Sequence, residues 1–149
     1  MINKFENEYA FLSNFYESPF KLGGITFPTM EHWFQAWKTL DNQEFREIAA
    51  AETPSKAKRL GRKCHLRSDW EDIKEQVMLV GLRLKFEEPK LRSKLLNTKG
   101  RTLIEGTTWC DNEWGDCSCP KCTNITGQNK LGKLLMQVRD ELLQEEGER

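Results

Sequence analysis

The chain has 149 residues, a length that suits one domain with one core, and its 23 lysines and arginines balance 23 aspartates and glutamates to zero formal net charge. That balance argues against a protein that coats long nucleic acid, which carries a basic excess, but leaves room for a local basic pocket holding one phosphate or a diphosphate. No stretch approaches the roughly 20 apolar residues that span a bilayer, and Met1-Ile2-Asn3-Lys4-Phe5-Glu6 lacks the basic-then-apolar pattern of a signal peptide.

In chain order, Pro19–Phe27 alternates apolar residues around Gly23-Gly24, a hairpin signal. Thr29 caps a helix expected to run to about Leu40, with Glu31 in its first turn. Asp41 with Glu44 forms a capping box for a second helix through Ala51. Thr53-Pro54 opens a third, which Gly61 is expected to close in a left-handed conformation. Ser68-Asp69-Trp70-Glu71 is a further capping box, and the helix after it places Trp70, Ile73, Val77, Val80 and Leu84 on one stripe, ending before Pro89. A short helix over Lys90–Leu96 follows, then a strand at Thr102–Glu105 and a loop from Gly106 to Asn129. The last helix carries Leu131, Leu134, Leu135, Val138 and Leu142 on one face and Arg139 on its polar side, before an acidic end from Gln144 that is expected to fray. These elements predict an α+β, predominantly helical single domain over residues 1–149 with a small sheet.

Two groups of residues bear chemistry. Glu31, Gln35 and Lys38 stand at i, i+4 and i+7, so a carboxylate, an amide and an amine share one helix face beside Trp33, Phe34 and Trp37. The alternative is an ordinary solvated face. Trp109, Asp111, Trp114 and Gly115 crowd a segment rich in turn formers, where tryptophans either plug a core or wall a pocket. Five cysteines, an odd number, fit reduced thiols or a metal knot and a cytoplasmic location. Cys117, Cys119 and Cys122 lie within six residues, and zinc would take a fourth ligand from Cys110, Cys64 or His65, the alternative being free thiols.

Taken together, Ser13-Asn14-Phe15, the run Pro28-Thr29-Met30-Glu31-His32-Trp33-Phe34-Gln35-Ala36-Trp37-Lys38, Ala57–Arg62, Trp70 with Val77-Met78 and Leu82–Phe86, Leu103-Ile104-Glu105, Trp114-Gly115 and Gly127–Arg139 resemble, in order and over nearly the whole chain, the signatures of the NADAR (YbiA-like) family. The cysteine loop departs from that pattern, since relatives often carry glycine and polar residues there.

The resemblance implies a YbiA-like α+β fold and an N-glycosidase needing no cofactor, apart from a possible structural zinc. It cleaves the bond between ribose C1 and an exocyclic base amine. Two substrate classes are implied: guanine carrying ADP-ribose, in a nucleotide or in DNA, for an antitoxin or anti-defence factor, and small phosphoribosylamino-pyrimidine intermediates of riboflavin synthesis. A non-catalytic module that binds ADP-ribose or an NAD-like ligand is a further alternative, as is a purely structural role. No membrane and no obligate protein partner are expected.

Within that frame Lys38 is the expected nucleophile, attacking an imine formed when the sugar ring opens, Glu31 the general acid and base and Asp111 a second carboxylate. Expected substrate contacts are Asn14, Phe15, Trp33, Gln35, Arg62, Trp70, Trp109, Trp114, Gly115 and Asn129, with Arg62 and Lys63 suited to phosphate. Trp70 equally fits the core, and Gly61 and Gly132 equally fit helix ends or close packing. The competing mechanism has Glu31 or Asp111 activate water directly against an oxocarbenium-like C1.

Overall fold

A computed structural model describes residues 1–147. The class is α+β with helices dominant, and the chain packs as two compact units: Asn14–Lys85, and Met1–Ser13 together with the chain from Phe86 onward.

In the Asn14–Lys85 unit, β1 (Phe20–Leu22) and β2 (Ile25–Phe27) pair antiparallel, and Gly23 and Gly24 turn between them at φ 59° and 78°. Two consecutive positive φ angles match the hairpin turn that follows strand twist, which is why the pair is glycine. Next comes α1 (Met30–Ala36), capped by Thr29, whose hydroxyl accepts the His32 N–H. The His32 ring lies between Thr29 Oγ1 at 2.8 Å and the Ala51 carbonyl at 2.9 Å. Burial holds its pKa below the ordinary histidine value.

The expected run of α1 to Leu40 is corrected: regular helix stops at Ala36. The last turn tightens to i→i+3 bonds, from Lys38 N–H to Gln35 O and from Thr39 N–H to Ala36 O. Thr39 then leaves the helix to form a β-bridge with Leu66, and Leu40 is exposed. Lys38 thus lies one step past the helix rather than on its regular face.

The second and third helices are α2 (Asn42–Ala49), capped by Asp41, and α3 (Pro54–Lys63), capped by Thr53. The box at Asp41 is half-formed: Asp41 accepts the Glu44 N–H, but the Glu44 carboxylate takes Thr39 Oγ1 and the His65 N–H instead. Gly61 does not end α3. The helix runs two residues further and Gly61 is buried inside it, so close packing is the reason for glycine.

The buried stripe of α4 (Trp70–Lys85) also differs from expectation. It runs through Trp70, Lys74, Met78, Leu82 and Lys85, while Ile73, Val77, Val80 and Leu84 are half-buried. The two lysines hid this stripe from a purely apolar reading. Lys74 pairs with Glu71 at 2.5 Å, and Asp69 of the expected capping box pairs instead with Arg67 at 2.6 Å.

Trp33 is the packing hub of this unit. It is 2% exposed and lies 5.6, 5.0 and 5.4 Å from the Phe20, Phe27 and Trp37 rings. Its indole N–H donates to the Val77 carbonyl at 2.8 Å, which locks the ring in place. A Cβ on Gly81 would fall 2.5 Å from Trp33 Nε1 and 2.8 Å from Met30 Cε. Because the indole cannot swing away without losing its bond, Gly81→Ala should cost about 1–3 kcal/mol despite the better helix propensity of alanine. A thermal melt should show a drop of about 2–4 °C per kcal/mol, and an unchanged melt would refute this packing role.

In the other unit, a 3-10 helix spans Asn7–Leu12 and Ile2 bridges Leu103 in parallel, so the expected strand at Thr102–Glu105 is reduced to one bridge. α5 (Pro89–Leu96) is capped by Glu88 and begins with the proline. β3 (Gly106–Thr107) and β4 (Asp116–Cys117) pair in parallel, a 3-10 turn covers Pro120–Cys122, and α6 (Lys130–Gly147) closes the unit.

α6 buries Leu131, Gly132, Leu135, Val138, Arg139 and Leu142. Arg139 is not on a polar face: it is 6% exposed and donates to the Thr98 and Arg101 carbonyls, both at 2.8 Å. It thereby satisfies carbonyls of the turn that follows α5. The acidic end is helical through Gly147, with Glu145 and Glu146 on Arg92, while Glu148 and Arg149 lie outside the described residues.

Candidate active site

The Asn14–Lys85 unit gathers an acid, an amide and an amine. Glu31 is 7% exposed, and its Oε1 accepts from Gln35 Nε2 at 2.7 Å. Gln35 is 3% exposed and lies on Gly61 of α3, where any side chain would collide with its Oε1 and come within 3.1 Å of its Cβ. Gly61 therefore makes the space in which Gln35 points at Glu31.

Asn14 feeds the same place. Its carbonyl accepts the Glu31 N–H at 3.0 Å and its Nδ2 lies 3.7 Å from Met78 Sδ. Its buried Oδ1 has no hydrogen-bond partner among the described residues, an acceptor position a substrate hydroxyl would suit.

Lys38 is half-buried, with Nζ 5.8 Å from the centre of the Phe34 ring, which meets Trp70 edge-on at 5.0 Å. Its carbonyl accepts from Arg67 N–H at 2.8 Å, which fixes the backbone where α1 ends. Burial lowers the Lys38 pKa; Glu31 and Cys64 oppose the shift, and Arg62 and Lys58 add to it. Desolvation beside cations is the condition under which a lysine amine becomes nucleophilic near neutral pH.

Some expected residues fall elsewhere. Trp33 belongs to the core and faces no opening. Trp70, at 6% exposed, supports Phe34 from beneath rather than offering a free face. Arg62 and Phe15 are exposed, as substrate contacts would need to be. Sequence reasoning passed over Lys58 and the placement of Cys64 near Lys38. The signal for Lys58 was its i, i+4 spacing from Arg62, which puts both cations on one face of α3.

The remaining expected residues lie in the other unit. Asp111 Oδ1 accepts the Glu113 and Trp114 N–H groups at 3.1 and 2.9 Å, so this carboxylate builds its own turn. Trp114 is half-buried with Lys130 Nζ 5.7 Å from its ring, and Trp109 is 60% exposed. Gly115 is buried where a Cβ would sit 2.5 Å from the Glu105 carbonyl oxygen. Asn129, expected to contact ribose or phosphate, engages backbone at both ends of its amide: Oδ1 accepts Glu105 N–H at 3.0 Å and Nδ2 donates to Leu103 O at 2.9 Å. Gly132 lets α6 approach those same groups, since a Cβ there would strike Leu103 O and Asn129.

The thiols of Cys110, Cys117, Cys119 and Cys122 lie within 4.8 Å of one another, a set able to hold a metal ion. Cys64 and His65 are not among them; Cys64 donates to the Gly61 carbonyl and His65 pairs with Glu44 at 3.0 Å. Cys110 has φ 63°, a left-handed conformation that costs a non-glycine residue on the order of 1 kcal/mol.

Comparison with known proteins identifies the family and the fold. The NADAR domain family matches residues 2–143. N-glycosidase YbiA of Escherichia coli (strain K12) is 44% identical over 139 residues, covering 91% of this chain and 83% of that protein. A riboflavin biosynthesis protein of Vibrio vulnificus (strain YJ016) is 35% identical over 140 residues, covering 92% of this chain but 36% of that longer protein. The NMR structure of E. coli YbiA superposes with a TM-score of 0.84 at 40% identity, covering all of this chain and 90% of that one. On these matches the chain belongs to the NADAR family.

Proposed function

We propose that the protein is an N-glycosidase that hydrolyses the bond between a ribose C1 and an exocyclic base amine, working in the cytoplasm without a redox or organic cofactor. The observation that carries this reading is a buried Glu31 held by Gln35 and, just past the end of the same helix, a half-buried Lys38 amine that lies over the Phe34 ring, with burial lowering the Lys38 pKa.

The chemistry follows from the substrate bond. An aminal at C1 opens its sugar ring when the C1–O bond breaks and the ring oxygen takes a proton, leaving a C1=N iminium to the base. Lys38 Nζ adds to C1. The base nitrogen accepts a proton and leaves as a free amine, and C1 becomes an iminium on Lys38. Water adds to that carbon, and collapse releases the free sugar and the lysine amine. One water is consumed and nothing is oxidised or reduced. Glu31 is the group placed to move the protons between ring oxygen, leaving nitrogen and water.

Gln35 acts by positioning Glu31, and Gly61 by positioning Gln35. Gly61→Ala should therefore lower stability by about 1–2 kcal/mol, because pushing buried Gln35 off Glu31 breaks a buried hydrogen bond and outweighs the roughly 0.5–1 kcal/mol of helix propensity gained. Activity should fall on the order of 10- to 100-fold through misplacement of the acid. Full activity at an unchanged melting temperature would remove Gly61 and Gln35 from this account.

For substrate, the favoured reading is ADP-ribose on the exocyclic amine of guanine, in DNA or a nucleotide, supported by the basic face of α3, where Lys58 and Arg62 suit a diphosphate. The second reading, a phosphoribosylamino-pyrimidine of riboflavin synthesis, is supported by the name of the Vibrio relative. Both substrates offered in parallel to the wild type and to Glu31→Ala discriminate: base release from one alone assigns the substrate, and release from neither, with binding retained, assigns a non-catalytic ligand-binding module instead.

A further inference from the structure

The four-cysteine cluster carries chemistry that the hydrolytic reading does not use. We propose that Cys110, Cys117, Cys119 and Cys122 bind one structural zinc ion as a tetrathiolate site that clamps the loop carrying Asp111 and Trp114.

Geometry is the first ground. Zinc bonds thiolate sulfur at about 2.3 Å in tetrahedral sites, which sets sulfur–sulfur separations at about 3.8 Å. The four sulfurs fall around that value: all lie within 4.8 Å of one another, and Cys110 and Cys119 are 3.4 Å apart. This is too long for a disulfide, whose sulfurs are about 2.05 Å apart, and all four are free thiols.

The second ground is the set of donors aimed at sulfur. Cys117 Sγ accepts the N–H groups of Cys110 at 3.2 Å and Cys119 at 3.4 Å, and Cys122 Sγ accepts from Asn112 Nδ2 at 3.3 Å. Metal-bound thiolates are held by such outer hydrogen bonds. Two of these donors belong to the backbone of ligand residues, as in a knuckle that wraps its ion. Asn112 is tied in further, because its Oδ1 accepts the Cys117 N–H at 2.8 Å.

The third ground is the backbone. Cys110 keeps a left-handed φ of 63° that its side chain disfavours, and this conformation directs its sulfur to the other three. A four-sulfur tetrahedral site takes zinc or iron. Zinc is the choice here because the ion is redox-silent and tolerates irregular ligand spacing, and hydrolysis gives iron no electron to carry. The ligands bracket residues 111–116, so the ion adds a cross-link to a loop already held by the β3–β4 ladder and by the N–H groups of residues 128–131, which donate to the Asn112, Gly115, Glu113 and Trp114 carbonyls.

The test uses the full chain, purified under reducing conditions without chelator. Elemental analysis should give about one zinc per chain, and a thiol reagent should modify one cysteine, Cys64, until denaturant with chelator removes the metal and exposes four more. Exchange with cobalt(II) on the intact chain should give the intense visible absorption of tetrahedral cobalt thiolate, a readout that needs no variant to fold. Cys119→Ser and Cys122→Ser should each lower zinc at least tenfold, and chelation should open residues 111–121 to protease. Iron in place of zinc, five freely reactive thiols after incubation with zinc, or a Cys110–Cys119 disulfide in freshly alkylated protein would overturn the proposal. A proteolysis pattern indifferent to the metal would overturn the clamp.

Discussion

Lys38→Ala should lower kcat/KM by about three orders of magnitude or more, the loss expected when a covalent nucleophile is removed and only binding and proton transfer remain. The chemistry supplies a readout independent of rate. Borohydride added during turnover should reduce the iminium, leaving the opened sugar, with its phosphates, attached to the protein through a secondary amine. Peptide mapping should locate that mass on Lys38.

Lys85 is the internal control. Burial lowers its pKa to about 7, further than an ordinary lysine, but it is 1% exposed at the end of α4 beneath Tyr16. It is desolvated without being reachable, so it should carry no adduct. No trapping on wild type, together with a Lys38→Ala variant that still turns over, would replace the covalent route with direct attack of water on C1.

The helical frame was readable because its punctuation is local. Thr29, Asp41 and Thr53 each cap within three residues, and Gly23-Gly24 marks the hairpin turn. Periodicity and single glycine or box signals were less secure, as Gly61 inside α3 and the half-formed box at Asp41 show. Lys74 and Lys85 sit in the buried stripe of α4, where an apolar template finds no match and points instead to the half-buried Ile73, Val77, Val80 and Leu84. Arg139 misled through its charge, which marked it as surface, whereas the Thr98 and Arg101 carbonyls in the turn after α5 make burial acceptable.

The candidate site shows the same division. Glu31 and Gln35 are one helical turn apart and meet as spacing dictates. Lys38 lies on a segment that leaves the helix to bridge Leu66, a pairing 27 residues away that no local pattern encodes. The trio was legible as residue types, while the backing of Gln35 by Gly61 and the cations around Lys38 depend on α3 packing against α1.

Glu31→Gln should separate the two chemical roles. The amide oxygen of glutamine still accepts from Gln35, so packing is kept, but no proton can be moved, and kcat should fall about 10²- to 10⁴-fold. If Glu31 serves the water step, the Lys38 iminium decays more slowly than it forms. Borohydride should then trap more adduct per chain in Glu31→Gln than in wild type, while Lys38→Ala traps none.

The pH profile gives an independent sign. Lys38 attacks as the free amine, so kcat/KM should rise with pH through the Lys38 pKa, on a limb below the ordinary lysine value of about 10.4. Glu31 raises that pKa by favouring the ammonium, so removing its charge should move the limb to lower pH. Lys58→Met or Arg62→Met removes a cation that disfavours the ammonium, and should move the limb to higher pH. Shifts of the same sign in all three variants would mean that the limb reports another group, and Lys38 would lose its place as the titrating nucleophile.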